Sequence, residues 1–117
     1  MEMNVEEMHM KDIWETIDKV LNEQPEHIKG LTVFYAFDLT GEDGGLYGLR
    51  LTDGTAKVIL GDPGVADCSL KMSSKDFKKL LAGNLNSAAA FMMGKLKVKG
   101  NIGLAMKLEN LLKLYSF

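Results

Sequence analysis

Two turns divide the stretch between Leu31 and Leu60 into three short segments with the periodicity of β-strands. The first segment, Leu31 to Phe37, has bulky side chains at both sets of alternating positions, which is typical of a central strand covered on both faces. Glycines and acids at residues 41–45 predict the first turn, and Asp53-Gly54 is a strong hairpin signal for the second. The pattern therefore predicts three antiparallel strands, and a sheet built from hairpins buries one face under helices.

The three strands are preceded by a predicted helix and followed by a predicted fourth strand. Apolar residues recur at helical spacing from Met10 to roughly His27, and Pro25 or Gly30 is expected to end this amphipathic helix. After the three strands and a loop, residues 67–72 alternate again and predict a fourth strand with one wet face.

The C-terminal part of the chain contains three more helices and a further strand. The first of these helices follows an N-cap at Ser73 or Ser74. The second, residues 87–93, is apolar nearly all round, so it must be buried or must face a ligand. Strict alternation over residues 95–99 predicts a fifth strand with its lysines outward, and Gly100 opens the last helix.

Together these elements predict an α+β fold in two layers. We expect a five-stranded, mostly antiparallel sheet with helices packed on one face, in the order α-β-β-β-β-α-α-β-α. A chain of 117 residues fits one domain. We expect residues 1–9 to be a flexible N-terminal segment and residues 10–117 to form the domain.

Charge is distributed unevenly along the chain. Residues 1–70 carry five basic and fourteen acidic side chains, a net charge of −9, whereas residues 71–117 carry nine lysines and two acids, a net charge of +7. Such polarity can orient a protein in transient contact with an anionic membrane, and Lys95, Lys97 and Lys99 could contact head groups. Alternatively, the two halves mix on folding and these lysines only protect a strand edge. Nucleic-acid binding is not expected, since no aromatic residues interleave with the lysines.

No segment predicts secretion or membrane insertion. Cys68 is the single cysteine, so the chain can form no internal disulfide. The first ten residues lack a basic region followed by an apolar run, and no window approaches the ~18 apolar residues of a membrane span. We therefore expect a cytoplasmic protein.

Residues suited to catalysis or metal binding are few. His9 lies in a polar N-terminal stretch, His27 lies near a helix end, and Cys68 is predicted to face inward, where a thiol is unreactive. One cysteine and two distant histidines cannot form a zinc site, and the acids in the turns fit turn preferences. We expect no catalytic residue, no metal and no cofactor.

Apolar side chains are abundant late in the chain, and the protein has eight methionines, which adapt to irregular surfaces. The apolar residues between positions 77 and 112 fit either a well-filled core or the wall of a ligand cavity. Periodicity alone cannot distinguish these two arrangements.

One sequence pattern is more specific. The run AFMMGKLKVKGN occupies residues 90–101 and the helix sequence LAMKL occupies residues 104–108, preceded by FKKLLAG at residues 77–83. This pattern resembles the sterol carrier protein type-two domain family, and a weaker likeness extends from Trp14 to the end of the chain. The resemblance implies a five-stranded sheet layered with helices around a hydrophobic tunnel. It also implies loose selectivity for sterols, fatty acids, acyl-CoA or phospholipids, with no chemistry done on the ligand.

The resemblance further implies which side chains line the tunnel. Most come from the late helices, and three are added from the sheet, whose inward face the strand pattern leaves open. The predicted ligand-binding residues are Phe34, Leu49, Leu70, Phe77, Leu80, Leu81, Ala89, Phe91, Met92, Met93, Ile102, Leu104 and Met106.

These features predict a carrier, monomeric or homodimeric, that binds a lipid-like ligand and carries or presents it without chemistry. The alternative is an accessory or interaction domain that presents substrates to a lipid-metabolising enzyme or assembles with a partner. The C-terminal Tyr115-Ser116-Phe117 departs from the Ser-Lys-Leu-like address of peroxisomal members. With its simple N-terminus, the chain resembles the stand-alone bacterial and archaeal members.

Overall fold

Five strands form one sheet in the computed structural model, which describes residues 5–115 and 117. The strands are β1 (Thr32–Thr40), β2 (Gly45–Thr52), β3 (Thr55–Leu60), β4 (Cys68–Ser73) and β5 (Lys97–Gly100), and the helices are α1 (Met10–Glu23), α2 (Ser74–Leu81), α3 (Ser87–Met92) and α4 (Ile102–Leu112). The spatial order is β3-β2-β1-β4-β5, antiparallel throughout except between β1 and β4. The predicted α+β class, the element order and the mostly antiparallel sheet are confirmed.

The central strand β1 has one antiparallel and one parallel neighbour. Tyr35 lies opposite Leu49 of β2 on one side and opposite Cys68 of β4 on the other. The backbone N–H of Phe34 donates to Asp67 Oδ2 at 2.8 Å, and the N–H of Asp67 donates to the Phe34 carbonyl at 2.9 Å. These two bonds position the start of β4 against β1.

Helix α1 buries one apolar stripe, and its largest member organises an aromatic cluster. The indole of Trp14 stacks on the rings of Tyr47 and Phe77, with centroids 5.0 and 5.2 Å away, and meets Phe37 edge-on at 5.1 Å. Stacked and edge-on geometries are the favourable arrangements for aromatic pairs. The cluster therefore joins α1, α2 and the sheet in one core.

Both ends of α1 have a local cause. Asp43, in the β1–β2 turn, accepts a hydrogen bond from the N–H of Met10 at 2.7 Å and so caps the helix from a distant part of the chain. The helix ends at Glu23 with Gln24 as its C-cap, so the earlier of the two predicted stops, at Pro25, is confirmed and not the one at Gly30. Pro25 starts a separate 3₁₀ turn over Pro25–His27.

Strand β5 covers residues 97–100, so it begins two residues later and ends one residue later than the predicted strand at 95–99. The N–H groups of Lys95 and Leu96 both donate to the carbonyl of Ala90, at 2.9 and 3.1 Å, so these residues close α3 and do not begin the strand. The last helix likewise begins two residues later than Gly100, because Asn101 accepts a bond from the helical N–H of Gly103 at 2.8 Å.

The N-terminal segment that we predicted to be flexible lies partly outside the described residues, which begin at Val5. The 3₁₀ helix Val5–Glu7 precedes α1, and the side chain of Val5 is buried in the hydrophobic core. The hydrophobic core therefore includes side chains from the N-terminal side of α1, as far as Val5.

Gly100 allows β5 to approach the start of β4 closely. Its φ is +98°, and a Cβ added there would lie 2.6 Å from the carbonyl oxygen of Asp67. We expect Gly100→Ala to lower the free energy of unfolding by about 2 kcal/mol, measured by urea denaturation. Gly64→Ala is the control, because Gly64 has a φ of +82° with open space around it. Equal losses in both variants would show that the close approach to Asp67 is unimportant.

Candidate functional site

The sheet has a face that carries the helices and an outer face. Tyr35 and Phe37 of β1 point to the helices, together with their register partners Leu49 and Leu70. The outer face carries Phe34 and Ala36 and their neighbours. Each predicted site residue on the sheet can therefore be assigned to one face.

Five of the predicted ligand-binding residues lie in the packed layer between the sheet and the helices. They are Leu49, Leu70, Phe77, Leu80 and Leu81, and all five are buried in one continuous hydrophobic core. We call these residues the inner set. They are within reach of a ligand only if that core opens.

Phe34 lies on the outer face, away from the inner set. It is opposite Arg50 in the β1–β2 register, and the guanidinium carbon of Arg50 lies 4.4 Å from the centroid of its ring. This is cation–π geometry. An open pocket of about 460 Å³ also lies on the outer face, between β1, β4 and β5 and the loop at Pro63.

Five other predicted residues are exposed large apolar side chains on α3, at the C-cap of α3 and on α4. They are Phe91, Met92, Met93, Ile102 and Met106, which we call the exposed set; Met92 is 86% exposed and Met93 67%. Ala89 is also exposed, whereas Leu104 is half-buried and packs against the core. The sequence left two alternatives for the apolar helix at residues 87–93, burial or contact with a ligand. Burial is not observed, because only Ser87 and Ala90 of α3 are buried, so contact with a ligand is the alternative that stays a prediction.

A buried carboxylate that the sequence analysis missed connects α3 to α4. Glu109 Oε1 accepts from the backbone N–H of Ser87 at 2.6 Å and from the Ser87 hydroxyl, while Oε2 accepts from Lys113 Nζ at 2.8 Å. Burial alone would raise the pKa of Glu109, but the hydrogen bonds from Lys113 and Ser87 outweigh it and the pKa is lowered. A signal was present in the sequence, since Glu109 adjoins Leu108 on the apolar face of α4 with Lys113 one turn later.

Tyr35 makes a second polar connection to the same helix. Its hydroxyl donates to the carbonyl of Leu104 at 2.8 Å, which links β1 to the first turn of α4. Burial, with smaller contributions from Cys68 and Asp67, raises the pKa of the Tyr35 phenol well above its ordinary value. The phenol therefore keeps its proton and remains a donor.

The titratable groups considered for catalysis lie apart from one another. The His9 imidazole is 4.0 Å from Asp43, and the His27 ring packs edge-on against Tyr115. Cys68 is fully buried, and burial, followed by the charge of Asp67, raises the pKa of its thiol. Among residues 5–115 and 117, no group of three or more His, Cys, Asp or Glu side chains could hold a metal ion.

No helix in the described part of the chain combines the length and the apolar character needed to cross a membrane.

Comparison with solved structures places this fold among sterol carrier proteins. Sterol carrier protein 2 from Yarrowia lipolytica, in its apo form, is 33% identical, with a TM-score of 0.69 over 89% of each chain. The sterol carrier protein domain 2 of Helicoverpa armigera is 27% identical, with a TM-score of 0.73 over 97% of this chain and 93% of that one.

Sequence comparison gives the same family. The rat protein Hydroxysteroid dehydrogenase-like protein 2 is 46% identical over 88 residues, which is 74% of this chain and 17% of that protein. The chain thus spans about a sixth of the length of this curated relative. The model of the SCP-2 sterol transfer family matches residues 15–113. This chain therefore belongs to the SCP-2 sterol transfer family.

Proposed function

We propose that this protein binds a lipid-like ligand in an apolar tunnel between the sheet and α2–α4, and carries or presents it without chemistry. Membership of the family implies lipid binding or transfer. Fatty acids, acyl-CoA, phospholipids and sterols are the ligand classes proposed. The observation that carries the proposal is the exposed set. Monomeric proteins seldom expose several large apolar side chains close together along the chain unless those side chains bind a ligand, a membrane or a partner.

The exposed set and the inner set are the two ends of the proposed path. Leu104 is half-buried and packs against the same core as Leu80 and Leu81, so apolar surface leads from solvent towards the interior. A hydrocarbon chain that follows this path gains about 0.8 kcal/mol for each methylene removed from water. A bilayer offers a similar gain, so uptake and release can stay nearly balanced.

Entry requires α3 to move, because the inner set is closed to solvent. This helix has only six residues, and the Ser87–Glu109 contact holds its first residue to α4. Short elements with few buried residues open locally at low cost. We propose that α3 is the element that moves aside when an acyl chain enters.

A charge placed in the exposed set should weaken binding. A fluorescent fatty acid titrated into the purified protein should bind saturably in the micromolar range, and Met92→Lys should weaken it by about tenfold or more, because an ammonium group is costly beside an apolar ligand. Val65→Lys is the matched control, since Val65 is 97% exposed in the β3–β4 loop.

Two results would contradict the proposal. Unchanged affinity in Met92→Lys would remove α3 from the binding path. The lack of any saturable binding by the unaltered protein, with the fold verified by circular dichroism, would refute the carrier role.

A second candidate role is that of a domain that presents substrates to a lipid-metabolising enzyme or assembles with a partner. It is favoured by the rat relative, in which the matching part is a small fraction of a much longer protein named as dehydrogenase-like. Co-purification from the native cell would test for a physical association with an acyl-processing enzyme. The role would be supported if ligand is then transferred to that enzyme faster with this protein than without it.

We also propose where the carrier acts and what it contacts. Transient contact with an anionic membrane is supported by the exposed set, which adjoins Lys95 in the chain. Nucleic acid, metal and cofactor are not part of the proposal, and the predicted compartment is the cytoplasm. Size-exclusion chromatography at several concentrations tests whether the protein is a monomer or a homodimer.

A further inference from the structure

A second, strongly basic pocket lies at the end of β4, away from the proposed apolar path. Its volume is about 530 Å³, and it is formed by the end of β4, the first turns of α2 and the connection from α3 to β5. Five lysines and one carboxylate line it: Lys71, Lys75, Lys79, Lys95, Lys97 and Asp76. More than a third of the lysines and arginines in the chain therefore converge on one depression.

Two of these lysines are register partners on neighbouring strands. Lys71 of β4 lies directly opposite Lys97 of β5. Like charges at such positions destabilise a sheet. Asp38 is the register partner of Lys71 on β1, yet no ion pair within 4.0 Å joins them. Asp38 therefore offsets the repulsion between the strands without forming an ion pair, and among the described residues both ammonium groups stay unpaired.

The other lysines of the pocket also lack partners. Among residues 5–115 and 117, none of the five ammonium groups has a carboxylate within 4.0 Å. The hydroxyl groups at the rim are already engaged, since Ser73 Oγ accepts from the N–H of Asp76 and Thr40 Oγ1 donates to the Met72 carbonyl. The pocket therefore presents five positive charges with unused N–H donors against the single carboxylate of Asp76.

We propose that this pocket binds a ligand that carries two linked phosphate groups. Lysine ammonium groups bind phosphate oxygens as point charges, and several are needed to neutralise a diphosphate. The concave shape and a lining charge of five lysines against one aspartate match a compact polyanion. The site would also give five of the nine lysines in residues 71–117 a shared role.

The source of the phosphates is distinguished by two probes. Isothermal titration of the whole protein with inorganic pyrophosphate at low ionic strength tests a soluble ligand. Sedimentation with phosphatidylcholine vesicles, with and without diacylglycerol pyrophosphate, tests a lipid head group that carries the same diphosphate. The variants are Lys71→Gln and Lys97→Gln, which change the like-charged register pair. Both residues lie where this pocket meets the outer-face pocket.

Lys107→Gln is the matched control. It removes the same charge from the same basic half of the chain, but Lys107 lines a different depression with Gly30 and Asp67, beside the opposite end of β4. We expect saturable pyrophosphate binding that is weakened about tenfold in each of the two pocket variants and little changed in the control. We also expect Lys71→Gln to melt at the same temperature as the unaltered protein or higher, because it relieves the repulsion with Lys97.

Other outcomes decide the proposal in the following way. Vesicle binding that requires diacylglycerol pyrophosphate and shows the same variant pattern, without binding of free pyrophosphate, supports the pocket and names a lipid head group as its source. Equal weakening in all three variants, or no binding of either probe, overturns the pocket. The fatty-acid titration is a separate measurement, so failure here leaves the apolar path untouched.

Discussion

Trp14→Ala should lower the free energy of unfolding by about 3–5 kcal/mol, the range for loss of a fully buried aromatic side chain. Trp14 is completely buried and touches three aromatic rings, Phe37, Tyr47 and Phe77, so the cavity left by alanine is bounded by rigid groups that cannot collapse into it. The measurement is urea unfolding followed by circular dichroism, because Trp14 is the only tryptophan and its fluorescence is lost with it.

Trp14→Phe is the informative control. The indole Nε1 of Trp14 is buried with no hydrogen-bond partner among the described residues, and such a group costs about 1–3 kcal/mol. Phenylalanine keeps one ring of the stack and removes that unpaired donor, so its loss of stability should be less than half that of alanine. Equal losses in the two variants would show that the aromatic contacts do not stabilise the core in this way.

Glu109→Ala should cost about 2–3 kcal/mol and should release α3 from α4, because hydrogen bonds to a charged group are among the strongest in proteins. Ser87 and Lys113 would lose their shared acceptor, and the Ser87 N–H would stay buried without one. Hydrogen exchange should report faster exchange at Ala90 and Met93, whose N–H groups bond within α3. Lys113→Ala is the milder control, since it removes only the partly exposed ion pair.

The same carboxylate makes stability depend on pH in the acid range. The folded-state pKa of Glu109 is lowered below its ordinary value of 4.5, so its contribution is complete above that value and is lost as pH falls through the folded-state pKa. The difference in stability between the unaltered protein and Glu109→Gln should therefore shrink below about pH 4.5. A difference that stays constant down to pH 3 would contradict the assigned hydrogen bonds.

The order of elements could be predicted because periodicity and turn chemistry act locally. Asp53-Gly54 formed its hairpin, with φ of 37° and 90°, and the alternation of residues 67–72 became β4. The parallel pairing of β1 with β4 is a long-range choice that no local pattern specifies. The shift of β5 has a similar cause, because the bonds of Lys95 and Leu96 to Ala90 depend on how α3 ends.

The assignment of residues to the site was harder to obtain from the sequence. Phe34 and Tyr35 are both bulky and both buried, so alternation could not say which of them faces the helices. Glu109 and Ser87 are 22 residues apart, and their contact becomes visible only once α3 and α4 are placed side by side. The ligand-binding role of all thirteen residues remains a prediction.

The parallel pairing of β1 with β4 also bears on how the chain acquires its structure during synthesis. The β1–β2–β3 meander needs only neighbouring residues, whereas Phe34 meets Asp67, which lies 33 positions further along the chain. The meander can thus emerge from a ribosome and pair first, while one edge of β1 is still unpaired because β4 has not yet been synthesised. Until β4 arrives, that open edge is exposed to other nascent chains, and crowding at this stage would favour aggregation over folding.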